Sequence, residues 1–286
     1  MRTDILPILI CISCKNSLEQ KDGGAVCVGC GKKFVINSDG AIILQAAAPE
    51  EFSGTIGDPL VYKLKTIFKK YEGLYFILVR IAGALFVGEE TGKTAFMHLP
   101  NESIIINLGS GPKIISERVI NVDCFPFKGV SVVNDAAMIP FKDGSVDAVI
   151  CECLLEHVTE PNAVVAEIER ILKKGGLVYI SIPFMDAYHS APDDYYRWTT
   201  SGLRHMLRGF KEHKLRIGWG PTSTFVSATA HWLGMILSFG NKTLYQLGML
   251  FFSVILSPLK LLDYGLKHYK FATNASVGYY FIGEKK

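Results

Sequence analysis

The chain has no internal repeat, no low-complexity tract and no uninterrupted apolar run of about twenty residues, so solenoids, disordered scaffolds and a plain membrane span find no support. Charge is sparse as well. Charged residues make up 20% of the 286 residues and the net charge is only +3, far from the excess a polyanion-binding protein carries. The N-terminus, MRTDILPILICISC, has a short apolar run broken by Pro7 and no small-residue cleavage site. It does not read as a signal peptide, so a reducing, cytoplasmic setting is expected. What remains is 49% hydrophobic, with a mean hydropathy of +0.25 that is high for a freely soluble enzyme. The charge is also uneven: residues 100–199 carry eight Lys/Arg against fourteen Asp/Glu, and residues 200–286 carry eleven against three.

Cysteine is concentrated instead of scarce. Four of the seven fall in the first thirty residues, as Cys11/Cys14 and Cys27/Cys30, two CxxC knuckles twelve residues apart. Two thiolates at this spacing in a tight turn face one ion, and two such turns complete a tetrahedral site, so residues 1–48 are expected to form a zinc ribbon. Cys124, Cys151 and Cys153 read as small buried residues. AAAPEEFSG (46–54) has linker composition. Residues 61–86 read as helical, with Lys63, Lys65, Lys69 and Lys70 on the early turns and the interrupted apolar stretch 74–87 after them. Residues 49–98 are therefore assigned to linker and cap helices.

From Asn101 the pattern changes to strands alternating with helices. SIIINLGSG (103–111), VINVD (119–123), VSVVND (130–135), VDAVICEC (146–153) and GGLVYISIP (175–183) read as strands, with the amphipathic helix PNAVVAEIERILK (161–173) before the fifth. KLRIGW (214–219) and SVGYYFIGEK (276–285) complete the set, which makes residues 99–286 an α/β domain with a doubly wound sheet and an apolar insertion at 221–275. In such a site, glycines after the first strand let the backbone approach a ligand, here Gly109, Ser110 and Gly111. A carboxylate at the second strand's end, Asp123, is placed for a ribose, and Asp135 at the third strand's end for an adenine amino group.

In this order, IIINLGSG, VINVD, NDAAMIPFKDGSVDAVICECLLEHV and RILKKGGLVYISIPF resemble class I S-adenosylmethionine-dependent methyltransferases, over about residues 103–218. The resemblance implies a Rossmann-like, mostly parallel seven-stranded sheet and S-adenosylmethionine as cofactor. Gly109 to Gly111 would cradle its methionine part, Asp123 the ribose hydroxyls, Asp135 and Ala136 the adenine, and Cys151 or Glu152 would line the floor. Asn107 stands where the family often has an acid, which alters any grip on the cofactor's amino group. Only eleven residues separate Gly111 from Asp123, so the first helix must be short or missing. Glu156 and His157 are candidate catalytic groups by type, but the family pattern makes them structural. The ribbon resembles the small zinc-ribbon activator that partners several methyltransferases, here fused to its enzyme.

The loop PFMDAYHSAPDDYYRWTTSGL (183–203) follows the fifth strand, where an α/β site opens to substrate. Similar methyltransferases carry an H-x-x-P-x-D-Y-x-R-W-T-like run. His189 is the candidate general base, with Asp193 or Asp194 to orient it; a loop-pinning network with Arg197 paired to an aspartate is the other reading. In the tail, 225–239 and 244–266 hold the excess apolar residues, with Arg204, Arg208, Lys211, Lys214, Arg216, Lys242, Lys260, Lys267 and Lys270 around them. Apolar helices with a basic, aromatic rim suit an anionic membrane surface, so residues 225–270 are expected to make peripheral contact at the inner face of the membrane; a lid or homodimer face is the competing reading. A small amphipathic, glycan or lipid-linked acceptor follows. An RNA methyltransferase with a zinc-ribbon substrate module and a non-enzymatic ribbon adaptor are the alternatives. The acidic middle and the balanced ribbon offer no phosphate-tracking stripe, so nucleic acid is disfavoured.

Overall fold

The computed structural model describes residues 3–45, 81, 83–189 and 193–286. The expected linker at 46–54 and the lysine-bearing turns from Val61 lie outside the described residues. The strands are β1 (Leu18–Lys21), β2 (Gly24–Cys27), β3 (Lys33–Ile36), β4 (Ile42–Ile43), β5 (Ile105–Leu108), β6 (Val119–Asp123), β7 (Val132–Val133), β8 (Val146–Glu152), β9 (Leu172–Pro183), β10 (Phe210–Trp219) and β11 (Gly278–Lys285). They form one sheet in the order β1-β2-β3-β4-β7-β6-β5-β8-β9-β11-β10.

The expected seven-stranded sheet is thus corrected to eleven. The additional strands are those of the cysteine-bearing N-terminal segment. Its β4 lies parallel to β7, with Ile42 opposite Val132 and Ile43 opposite Val133, and so covers an edge that would otherwise expose unpaired backbone groups. The segment also joins the core: Leu9, Cys11, Phe34 and Ile42 pack in the same apolar cluster as Val132, Ile139 and Phe141.

The central strands are parallel, and β5, β6 and β7 are buried along their whole length. Their continuous Ile/Val runs are what a sheet covered on both faces requires. Alternation sorts the side chains: Ile106, Val149, Cys151 and Ile180 face the cluster closed by helix α2 (Pro161–Ile171). Ile105, Ala148, Ile150 and Tyr179 face the one closed by Phe96, Tyr280 and the short helix α1 (Gly92–Ala95). Between β5 and β6 the chain makes only turns, as the eleven-residue spacing requires.

Helix α3 (Thr200–Met206) is capped by Thr199, whose hydroxyl accepts from the Gly202 N–H at 3.1 Å. β10 ends and β11 begins at the carboxyl edge of the sheet, since Trp219 pairs with Gly278 and Gly278 with Pro183. Everything between them therefore leaves from and returns to that edge: α4 (Pro221–Ser238), α5 (Lys242–Ile255), a 3-10 stretch (Ser257–Leu262), α6 (Asp263–Leu266) and a second 3-10 stretch (Lys270–Asn274). Gly234 and Gly248 let α4 and α5 approach closely, since a Cβ on Gly234 would lie 2.9 Å from the Met249 nitrogen. Asp263 closes the base of the hairpin, accepting from the N–H groups of Thr222 (2.7 Å) and Ser223 (2.9 Å) and from the Ser223 hydroxyl (2.9 Å). A carboxylate there also suits the positive end of α4.

Candidate functional site

The sheet order reverses at β5, which has β6 on one side and β8 on the other, and ligands of open α/β sheets bind at such a switch point. The glycine turn after β5 sits there. Gly109 and Gly111 have φ of 67° and 54°, conformations that side chains rarely adopt, and a Cβ on Gly109 would lie 2.7 Å from Leu154. Asp123 fixes this turn: one carboxylate oxygen accepts from the Gly111 N–H at 2.7 Å and the other from the Phe125 N–H at 2.9 Å. Burial raises its carboxyl above the ordinary value, and these backbone donors pull it partly back. Each oxygen keeps a second lone pair for a ligand hydroxyl.

A cavity of about 390 Å³ adjoins the turn on its β8–β9 side. Of the residues expected at the cofactor, Asn107, Gly109, Ser110 and Glu152 line it. Gly111, Asp123, Asp135 and Ala136 are outside its lining; Asp135 and Ala136 follow β7, where Asp135 accepts from the Ala137 N–H at 2.9 Å and is exposed. Cys151 points into the core, and its thiol is pushed well up by burial. Strand alternation therefore decides between Cys151 and Glu152: only Glu152 faces the cavity. Asn107 is engaged with its register neighbour, its side-chain amide donating to Asn121 at 3.2 Å.

Residues not anticipated from sequence complete the walls: Phe86, Thr91, Lys113, Cys153, Tyr179, Ser181 and Trp219. Phe86 and Thr91 belong to a strap laid across the carboxyl edge, where the Val87 N–H donates to Gly218 at 2.8 Å and Phe86 packs edge-on against Trp219 at 5.4 Å. The Tyr179 hydroxyl donates to the Glu90 carbonyl at 3.1 Å. Glu152 accepts from the Gly92 N–H at 3.1 Å and is ion-paired with Lys113, so a cation and an anion face each other over the cavity. The signal for Lys113 was its place two residues past the glycine turn; nothing in the strap's composition marked it.

In the loop after β9, Asp194 is clamped by both terminal nitrogens of Arg197 and accepts from the His189 backbone N–H at 2.9 Å. Burial raises its carboxyl, but the Arg197 hydrogen bonds outweigh this and hold it below the ordinary range. Its oxygen is 3.7 Å from His189 Nδ1, which instead donates to the Ala187 carbonyl at 3.1 Å. Asp193 accepts from the Tyr195 hydroxyl at 3.2 Å, and its backbone carbonyl takes the His157 Nδ1–H at 2.5 Å. Both aspartates thus pin the loop; neither carboxylate is hydrogen-bonded to the His189 ring.

At the other end of the sheet the four N-terminal sulfurs converge. Cys11 and Cys30 Sγ are 3.8 Å apart, Cys14 and Cys27 3.3 Å, and all four lie within 4.8 Å of one another. A tetrahedral ion with bonds of about 2.3 Å needs sulfurs about 3.8 Å apart, so the four residues can hold one metal.

Residues 115–180 match a family model described as a methyltransferase domain. No curated protein matches the chain in sequence. Similar solved structures include Burkholderia thailandensis 1,6-didemethyltoxoflavin-N1-methyltransferase, at TM-score 0.44 and 13% identity over 91% of this chain and 97% of that one. A Haloferax volcanii complex between the Trm112 methyltransferase activator and a methyltransferase is similar at TM-score 0.43 and 17% identity, over 67% and 85%. The [4+2]-cyclase SpnF is similar at TM-score 0.42 and 14% identity, over 77% and 95%. Likeness at this level carries no argument about the acceptor. The match spans 66 of the 286 residues, from the turn before β6 into β9.

Proposed function

We propose that the protein transfers a methyl group from S-adenosylmethionine to a small amphipathic, glycan or lipid-linked acceptor. The observation that carries the cofactor part is the left-handed glycine turn at the switch point, fixed by Asp123 and opening onto the cavity. The Asp123 carboxylate accepts the ribose hydroxyls, and Asp135 and Ala136 lie toward the adenine. Lys113 and Glu152 complement the carboxylate and ammonium of the methionine part, each exchanging its partner for the ligand's opposite charge. The sulfonium is already activated, so the chain has only to hold the acceptor in line and take its proton. His189 suits that task, because its Nδ1–H is tied to a carbonyl and its Nε2 is left as the acceptor.

The acceptor class rests on the hairpin. Among the described residues no single helix is long and apolar enough to cross a membrane; α5 and the segment to Leu266 pass that test only together, bent by 46°. The hairpin nevertheless presents Phe225, Trp232, Phe239, Leu247 and Phe251 to solvent beside the edge where the cavity lies, as a membrane-facing lid would. On this reading the enzyme works at the inner membrane face, and zinc at Cys11, Cys14, Cys27 and Cys30 supports the sheet's far edge.

Calorimetry with S-adenosylmethionine tests the cofactor site. Asp123→Ala should weaken binding by about 1.5–3 kcal/mol, and Lys113→Ala by about 1 kcal/mol. Equal affinity for wild type and Asp123→Ala would refute the assignment. Labelling of lipid extract against total RNA with methyl-labelled cofactor tests the acceptor, and label confined to RNA would overturn the lipid-linked reading.

A further inference from the structure

Glu156 is wholly buried in the short 3-10 turn Leu155–His157 at the end of β8, and among the described residues neither of its carboxylate oxygens has a hydrogen-bond donor. An ionised carboxylate without a donor costs several kcal/mol, so the site is incomplete as it stands. Two histidines flank it. His157 Nε2 is 3.9 Å from one carboxylate oxygen, and the His157 and His189 rings meet edge-on at 5.2 Å. One ligand atom from each of Glu156, His157 and His189 lies within 4.8 Å of the others.

The two rings are oriented alike. A carbonyl oxygen can only accept, so His157 Nδ1, on the Asp193 carbonyl, and His189 Nδ1, on the Ala187 carbonyl, both carry the proton; Arg197 Nη2 is 3.5 Å from His189 Nδ1 but gives its two hydrogens to Asp194 and the Ala187 carbonyl. That leaves the two Nε2 lone pairs available, and neither nitrogen has a hydrogen bond among the described residues. A metal-binding histidine characteristically gives its other N–H to a carbonyl or carboxylate in this way. We propose that Glu156, His157 and His189 form a divalent metal site of two imidazoles and one carboxylate, suited to a zinc, manganese or iron(II) ion.

The surrounding charges fit such a site. Arg197, the nearest cation, is committed to Asp194 and to the carbonyls of Ala187 and Tyr196. The Asp186 carboxylate stands 3.6 Å from His189 Nδ1 and accepts the Ala187 N–H at 3.0 Å, adding negative charge behind the ligands. Three protein ligands leave positions open, as sites that take up a further oxygen donor do. The site borders the candidate cofactor cavity, because Cys153, at the end of β8 just before the Leu155–His157 turn, lines that cavity. An acceptor oxygen bound there would lie beside the methyl donor; this role, unlike metal binding itself, rests on the methyltransferase reading. His189 would then serve as ligand, and the acceptor's proton would pass to water.

The test is a titration of the full-length, zinc-loaded protein with Mn²⁺, followed by the spin-resonance signal of the free ion. Manganese avoids all-thiolate sites, so the four cysteines do not compete. One bound Mn²⁺ per chain is expected in wild type, with affinity at least 10-fold lower in Glu156→Gln and in His189→Ala, and unchanged in Lys113→Ala. His189→Ala removes an exposed ring, and a melting curve for each variant establishes that it is folded. No binding by wild type, or equal binding by wild type and the two ligand variants, would overturn the site. S-adenosylmethionine calorimetry on the same samples separates the readings: loss of cofactor binding with Mn²⁺ retained would sink the methyltransferase site and leave the metal site standing.

Discussion

In the sheet, Ile106, Val122, Val149 and Ile180 are sealed from solvent; in the α4–α5 hairpin, Trp232, Phe239 and Phe251 are 57%, 90% and 58% exposed. The inversion extends to the polar residues. The buried side chains of α5 are Gln246 and Ser253, and those of α4 are mostly small or hydroxylic: Thr222, Ser223, Ala230, Gly234 and Ser238. The two regions are similarly rich in Leu, Ile, Phe and Val, so composition does not distinguish them. What differs is where those side chains point. The sheet spends its apolar area on its own folding, and the hairpin leaves much of its apolar area exposed.

Core and hairpin substitutions should therefore differ sharply. Phe141 is fully buried between the sheet and the N-terminal segment, and Phe141→Ala should cost about 3–5 kcal/mol in urea unfolding. Leu247→Ser and Phe251→Ser remove exposed groups and should change stability by no more than about 0.5 kcal/mol. Hairpin variants as damaging as Phe141→Ala would show that the helices are packed against something else, and the comparison would fail.

Polar anchors fasten the hairpin in place of an apolar seam. Asp263 is fully buried and satisfies three donors at the start of α4, and Gly220 leaves room for it, since a Cβ there would fall 2.2 Å from its carboxyl carbon. Asp263→Ala should cost about 2–3 kcal/mol and expose the α4 base to limited proteolysis, while leaving β5–β9 protected from hydrogen exchange. Uniform loss of protection in both regions would mean that hairpin and sheet fold as one unit.

A smaller effect is expected at Asp194. Its carboxyl is held below the ordinary range in the folded protein, so its contribution is complete above the unfolded value and is lost as pH falls through the lower folded one. The difference in melting temperature between wild type and Asp194→Asn should accordingly be greatest near neutrality and shrink from about pH 5 downward. A difference that grows in acid would contradict the Arg197 clamp.

These contrasts also mark how far the sequence could be read. The strands from Ile105 to Pro183 were legible because a doubly covered parallel strand writes a continuous Ile/Val run, and the missing first helix was legible from the spacing of Gly111 and Asp123. Fusion of the N-terminal strands onto β7 was not, because the pairing of Ile42 with Val132 depends on an exposed edge and leaves no periodic mark. At the site, the glycine turn and Asp123 follow from local backbone needs. Phe86, Thr91 and Trp219 come from distant segments brought to the carboxyl edge by tertiary packing. The Glu156 turn is visible as a motif, but its lack of a donor among the described residues appears only once the neighbours are placed.

The basic rim expected around the hairpin is where structure most reduces the expected effect. Lys260 is buried and donates to the Ile81 and Gly83 carbonyls, and Lys267 donates to the Val87 carbonyl. Lys214 pairs with Glu90 and Arg204 with Glu212. These cations hold the strap and β10 in place, so most of the expected rim is committed inside the protein. Each basic residue near an anionic surface adds about 1 kcal/mol, so electrostatics contributes only a small share, less at higher salt. The exposed aromatic and aliphatic side chains carry the rest, and their insertion does not need lipid charge. In co-sedimentation the protein should bind neutral vesicles as well as anionic ones, with a modest anionic preference that fades as salt rises. Phe239→Ser and Phe251→Ser should weaken both. Stable dimers by light scattering, with no affinity for either vesicle, would make the hairpin a subunit interface and reverse the reading of its outward-facing residues.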